Sequence, residues 1–149
     1  MQLWVGWNSL TFGCCLLKIK KMVENEISSM IIGAGIKIHS VIGPGLLESA
    51  YEECLAYEFE KLKLNFKRQV YVPIVYEEVR LGHAFRADFI VEDKVIVEVK
   101  SVENILNVHK SQLLTYLKLT DKRLGLLINF NCQLLKDGIS RIANNLREY

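Results

Sequence analysis

Between Glu24 and Ile42 the apolar residues Ile27, Met30, Ile31, Ala34, Ile38 and Val41 recur at spacings of three and four, which predicts an amphipathic helix. Gly43-Pro44-Gly45 ends it, because Pro44 has no N–H to extend the helix and the flanking glycines free the backbone for a sharp turn. Leu47, Ala50, Tyr51, Cys54, Leu55, Phe59 and Leu62 then mark a second helix over about 46–63, so the two form a hairpin. The texture changes at Phe66. Gln69 to Tyr76, rich in Val, Tyr and Ile, predicts a strand, and Pro73 inside it points to a sheet edge or a bulge. Two more strands are expected over about 80–91 and 95–100, separated by Glu92-Asp93-Lys94. Leu113, Leu114 and Leu117 place a helix over about 108–119, and the almost wholly apolar run from Leu124 to Phe130 predicts a central strand. Ile139, Ile142 and Leu146 suggest a closing helix over about 137–147.

The order helix, helix, three strands, helix, strand, helix predicts an α/β fold: a single-domain layered structure with a mixed central sheet flanked by helices. The helix near 108–119 should be a crossover between parallel strands. With 149 residues, 50% of them hydrophobic and 24% charged, the chain suits one globular domain and is unlike a disordered or low-complexity sequence. A net charge of +2 gives no broad basic field, so any nucleic-acid contact must come from local clusters. The four cysteines, at 14, 15, 54 and 132, lack Cys-x-x-Cys or zinc-finger spacing and fit free thiols in a reducing cytoplasm. Residues 1–17 carry no charge, yet Gln2, Asn8, Ser9 and Thr11 interrupt them and no basic stretch precedes them, which fits neither a membrane span nor a secretory signal. Residues 1–21 are therefore expected to be an N-terminal extension dispensable for the fold, with the domain over 22–149.

The chemistry concentrates between Arg86 and Lys100. Strand alternation puts Phe85, Ala87, Phe89, Val91, Val95, Val97 and Val99 on one apolar face, and Arg86, Asp88, Ile90, Ile96, Glu98 and Lys100 on the other. A three-residue turn sets Val91 opposite Val95 and hence Asp88 opposite Glu98, with β-carbons roughly 4.5 to 5.5 Å apart. Two opposed carboxylates repel unless a cation lies between them. Mg²⁺, which takes one or two carboxylates plus water and phosphate oxygens, suits such a site, and Lys100 adds a fixed charge beside it. The same trio also fits a salt-bridge network on a solvated sheet face, so spacing alone leaves both readings open.

Further motifs weigh on that choice. Gly45-Leu46-Leu47-Glu48-Ser49-Ala50-Tyr51 puts an acid in the first turn of a helix, and Gln112 and Tyr116 lie one turn apart on the crossover helix. The Gly-x-x-Glu-x-x-Tyr run, the Asp88 and Glu98-x-Lys100 core and the Gln112-x-x-x-Tyr116 pair, in that order, resemble the GxxExxY proteins. These are a small branch of the PD-(D/E)XK nuclease superfamily related to RecB-type and lambda-exonuclease-type nucleases, and the resemblance runs from about Glu24 to Asn145. It implies a restriction-endonuclease-like fold and a metal-dependent deoxyribonuclease, acting in DNA repair or defence, with Mg²⁺ as cofactor and Mn²⁺ able to substitute. It further implies that Asp88 and Glu98 are the principal metal ligands, with the Val99 carbonyl as a further one. Glu48 would complete the acidic cluster and Lys100 would activate water and stabilise negative charge. Gln112 and Tyr116 would support the site or touch the nucleic-acid backbone. Ala87 stands where the superfamily's name has Pro, at a structural position. The rival reading is a catalytically inactive module of the same fold that binds nucleic acid or a protein. The small size of the chain leaves room for a homodimer on duplex DNA.

Other candidates are assigned to structure first. His39 fits a surface or interface position, His83 lies in a turn-like stretch next to Gly82, and His109 begins the crossover helix, near the expected site. Tyr51 fits core packing at least as well as a site role. The clusters Lys61, Lys63, Lys67, Arg68 and Lys118, Lys122, Arg123 fit solvated faces as well as phosphate contacts. No Walker or GxGxxG loop is present, so nucleotide-triphosphate hydrolysis has no support.

Overall fold

A computed structural model of the protein describes residues 22–146, apart from the side chains of His83 and Ala84. The expected extension over 1–21, with Cys14 and Cys15, and the candidate imidazole of His83 lie outside what is described. The elements run α1 (Glu24–Ile42), α2 (Glu48–Lys61), β1 (Phe66–Tyr76), β2 (Val79–Val91), β3 (Val95–Lys100), α3 (Asn107–Leu119), β4 (Leu124–Asn129) and β5 (Ile139–Ala143). They build one five-stranded sheet in the order β1-β2-β3-β4-β5. β3 and β4 are parallel and joined through α3, and the other neighbours are antiparallel. This is the mixed sheet that the sequence predicts. Pro73 has both expected effects, since β1 is an edge strand and its register slips between Val72 and Ile74.

Two apolar layers sandwich the sheet. Ile27, Ile31, Ala34 and Ile38 of α1 and Tyr51, Leu55 and Phe59 of α2 pack on Phe89, Val91, Val95, Val97 and Val99. Leu113, Tyr116 and Leu117 of α3 pack on the other face, against Val72, Phe85, Ala87, Ile90 and Ile96. The buried stripes thus follow the helical period read from the sequence, one helix face per sheet face.

Two expectations need correction. The C-terminal segment is not a helix: a single 3-10 turn, Leu135–Gly138, leads into β5, which pairs antiparallel with β4. Ile139 and Ile142 are three residues apart, a spacing that puts residues on one side of a helix but on opposite sides of a strand. Ile139 accordingly packs with the α1–α2 layer and Ile142 with the α3 layer. The second correction concerns the apolar face expected from Phe85 to Val99. Phe85 and Ala87 belong to the α3 layer, whereas Phe89 and Val91 belong to the α1–α2 layer. The alternation breaks at the Gln69/Asp88 position, where Gln69 adopts a left-handed backbone with φ of 51°. Neighbouring strand β1 switches at the same point, with Phe66 packing on one layer and Val70 and Val72 on the other.

Candidate active site

The α1–α2 turn is built by the Gly45–Tyr51 motif. Gly43 and Gly45 have φ of 78° and 105°, conformations that a side chain disfavours. The fully buried Tyr51 then clamps the turn from inside: its hydroxyl donates to the Gly43 carbonyl at 2.7 Å and accepts from the Leu46 N–H at 3.2 Å. Its ring stacks on Phe130 with centroids 4.2 Å apart. Tyr51 is therefore a core residue that fixes where α2 starts. Glu48, in the first turn of α2, accepts a hydrogen bond from the Ser101 N–H at 3.1 Å, and the Ser101 hydroxyl donates to the Leu46 carbonyl at 2.7 Å. Together they tie the head of α2 to the chain leaving β3.

β2 and β3 pair as Val91 with Val95, Ile90 with Ile96 and Phe89 with Val97, the register expected from the three-residue turn. The ladder stops at the next position. There the Asp88 carboxylate Oδ2 accepts from the Val99 N–H at 2.8 Å, filling the place a β2 carbonyl would hold in a continuous ladder. In a strand the N–H and C=O of one residue point to the same edge, so the Val99 carbonyl also faces this gap.

Glu98 approaches from the α3 side, since it pairs with Leu127, a member of the α3 layer. It is 7% exposed, its Oε1 is buried without a hydrogen-bond partner, and its Oε2 lies 3.8 Å from Lys100 Nζ. Burial, and next the charge of Asp88, pushes its carboxyl up to about 8. Burial also raises Asp88 above the usual carboxylate range, against the opposing pull of the Val99 N–H and the Lys100 charge, and the Glu48 charge adds to the rise. On α3, Tyr116 stacks on Phe85 and hydrogen-bonds to Gln112, so the expected pair does meet. Burial and then the Glu98 charge push the Tyr116 hydroxyl up to about 12.

Three polar residues at the site escape the sequence reading. Glu52 is buried one helical turn after Glu48, is raised by desolvation and by the charge of Asp88, and accepts from Gln69 Nε2 at 2.6 Å. The spacing of four from Glu48 was the available signal. Gln69 also reaches Asp88 Oδ1 at 3.5 Å and keeps its own Oε1 buried without a partner. Asn129, at the end of β4, accepts from the Val102 N–H at 3.0 Å and donates to the Val102 carbonyl at 2.8 Å, fixing the segment that follows Lys100. Of the remaining candidates, Arg68 borders this cluster, 3.9 Å from Glu52 Oε2. His39 hydrogen-bonds the Cys132 carbonyl at 2.8 Å, and His109 Nδ1 accepts from the Leu106 N–H at 3.2 Å as a helix cap. Arg68, Lys61 and Lys122 pair with Glu53, Glu58 and Asp93. Cys54 and Cys132 are free thiols.

Among the described residues no three His, Cys, Asp or Glu side chains form a complete metal cage. Mg²⁺ does not require one, because it keeps several waters and binds through one or two carboxylates. The buried Glu98 Oε1 beside Asp88 is a hard oxygen donor without a hydrogen-bond partner, and the Lys100 charge and the Asp88 backbone offset the desolvation of its carboxylate only in part; a divalent cation would offset the rest. The donor set therefore fits such an ion. Among the described residues no helix is long and apolar enough to cross a membrane.

No curated protein and no solved structure matches the chain. The family model described as the PD-(D/E)XK nuclease superfamily matches residues 25–142, which takes in all of α1 but its first residue, α2, all four acids, Lys100 and most of β5. With its mixed sheet, its acids gathered at a gap between two strands and that match over most of its length, the chain belongs to the PD-(D/E)XK nuclease superfamily.

Proposed function

We propose that this chain is a Mg²⁺-dependent deoxyribonuclease of the GxxExxY type. The supporting observation is the buried Glu98 Oε1, without a hydrogen-bond partner, set beside Asp88 and Lys100 at the gap between β2 and β3. Asp88 and Glu98 would hold the ion, with the Val99 carbonyl and Glu48 as further oxygen ligands, and Mn²⁺ would substitute. When bound, the ion supplies charge neutralisation at the scissile phosphate and eases deprotonation of water. The chain's own residues do the rest. Lys100 places a cation on the strand that carries Glu98, where negative charge on the phosphate grows in the transition state. Tyr116, buried and hydrogen-bonded to Gln112, covers the α3 side near Glu98, while Glu48 holds the Ser101 backbone in register with α2.

The test compares Lys100→Ala and Asp88→Ala for calorimetric Mn²⁺ binding and for cleavage of labelled DNA. Lys100→Ala should keep metal binding and lose roughly 100-fold in cleavage, the scale for removing one transition-state charge contact. Asp88→Ala should lose both. A wild-type chain that binds metal but cuts neither DNA nor RNA would instead support an inactive nuclease-fold module. Normal cleavage by Lys100→Ala would refute the role given to the lysine.

A further inference from the structure

Left-handed backbone at a side-chain-bearing residue belongs to turns almost everywhere in this chain. Among the described residues, Lys63, Glu77, Glu92, Asp93, Asp121 and Asn145 have φ between 51° and 56°, and all of them lie between elements or after the last one. Gln69, with φ of 51°, lies inside a strand. Glutamine has no local reason to adopt that conformation, which Gly, Asn and Asp take up more readily. The ladder with β2 is regular on both sides, Arg68 with Phe89 and Val70 with Ala87, and the rung left out between them is Gln69 with Asp88. Strain held in this way by its surroundings concentrates at functional sites. Here it delivers an amide to the acids. Gln69 Nε2 donates one hydrogen to Glu52 Oε2 at 2.6 Å and directs the other at Asp88 Oδ1, 3.5 Å away. Its Oε1 is buried without a partner. Turning the amide over would bring that oxygen against two carboxylates, so the acids fix its orientation and leave Oε1 unsatisfied.

Asp88 has need of such a support. Its residue is out of the ladder on both sides, so contacts of the side chain decide where the carboxylate points. The Val99 N–H holds Oδ2 at 2.8 Å, and Gln69 steadies Oδ1. Each carboxylate oxygen has a second lone-pair site, which leaves Oδ1 able to take a cation while it accepts from the amide. Polar partners that orient a ligating carboxylate in this way set the affinity of a metal site as much as the ligands do. We propose that Gln69, anchored by Glu52, is a positioning residue that fixes Asp88 for the divalent ion and touches neither ion nor substrate itself. The proposal rests on the metal-dependent nuclease reading and adds to it a residue from β1, a strand that contributes none of the ligands.

The test uses the full chain and two variants that separate the amide from the backbone. Gln69→Met keeps the length of the side chain and removes the donor. Gln69→Asn keeps the amide and suits the left-handed backbone better, but is one methylene too short to meet both acids. In EDTA the Asn variant should melt within a few degrees of wild type, because the better-suited backbone offsets the lost contacts. Calorimetry with Mn²⁺ should show both variants binding roughly 10- to 100-fold more weakly than wild type, the range for loss of an outer partner of a ligand. In cleavage of labelled DNA both should need correspondingly more Mg²⁺ for half-maximal rate and come within a few-fold of the wild-type rate at saturation, since every ligand is retained. Damage to the fold would not be repaired by added metal. Should Gln69→Met fail to fold, Gln69→Asn decides; should both fail, Gln69 is a structural residue and the proposal is refuted. If wild type binds Mn²⁺ and the folded variants bind it equally well, the positioning role is wrong and the nuclease reading stands. A loss of rate that saturating Mg²⁺ does not restore would make Gln69 a substrate contact and overturn the role as stated. If wild type binds no Mn²⁺, both readings fall.

Discussion

Glu98 gives the sharpest test of how the site is built. Its carboxyl is pushed from an ordinary 4.5 up to about 8, by burial first and by the neighbouring Asp88 charge second. In the unfolded chain the group loses its proton near 4.5, while the metal-free folded protein keeps it to about 8. Between those values the folded state binds more protons than the unfolded state, so stability falls as pH rises. The contribution is fully present below pH 4.5 and is lost as pH passes through about 8. At 1.36 kcal/mol per unit, the shift amounts to about 5 kcal/mol. For a chain of this size that is a fall of about 10 to 20 °C in melting temperature. Glu98→Gln keeps the shape of the side chain and removes the titration. In EDTA, wild type and Glu98→Gln should therefore melt close together near pH 5, and the variant should be the more stable by several degrees or more at pH 9. Adding Mg²⁺ at pH 9 should raise the wild-type melting temperature and leave Glu98→Gln almost unmoved, because binding to the folded state alone stabilises it. The measurement is a calorimetric or circular-dichroism melt from pH 5 to 9, with and without metal. Parallel pH profiles for the two proteins in EDTA would refute the argument, since the buried acid would then cost nothing to ionise.

Two further outcomes follow from packing. Tyr51→Phe removes the hydroxyl that joins Gly43 and Leu46, two bonds together worth about 1 to 3 kcal/mol, and should lower the melting temperature by several degrees while the stacked ring on Phe130 is retained. Gly138→Ala drives a methyl into the Asn129 carbonyl oxygen and to 2.8 Å from Cys132 Sγ, so it should cost about 1 to 3 kcal/mol, read as an earlier urea midpoint with an unchanged slope.

Much of the fold was legible because its signals are redundant. α1 carries an apolar stripe over five turns and is closed by a glycine-proline-glycine turn, so period and breaker agree. β4 is buried at every position and reads as central from composition alone. The end of the chain carries a single ambiguous cue. Ile139 and Ile142 satisfy a helical spacing, yet each serves a different layer of a strand. Only the partner strand β4 decides between those states, and a local pattern does not contain it.

The site was legible in its residues and less so in its geometry, for a related reason. Turn length fixes the β2–β3 register as far as Phe89 with Val97, and the expected Asp88–Glu98 pair would have been the next rung. Strict alternation would then hold both carboxylates on one sheet face. The chain instead breaks the alternation at Gln69, a residue type that does not advertise a left-handed backbone as Gly or Asn would. That break frees Asp88 from the ladder, so its carboxylate turns to the Val99 N–H while Glu98 stays on the α3 side. It also admits Gln69 between Glu52 and Asp88. An unbroken sheet would separate the acids of α2 from Glu98 by a layer of paired backbone. The interrupted one lets the charges of Asp88 and Glu52 reach Glu98 through the gap. The local defect in strand pairing is thus what turns acids from two layers into one site.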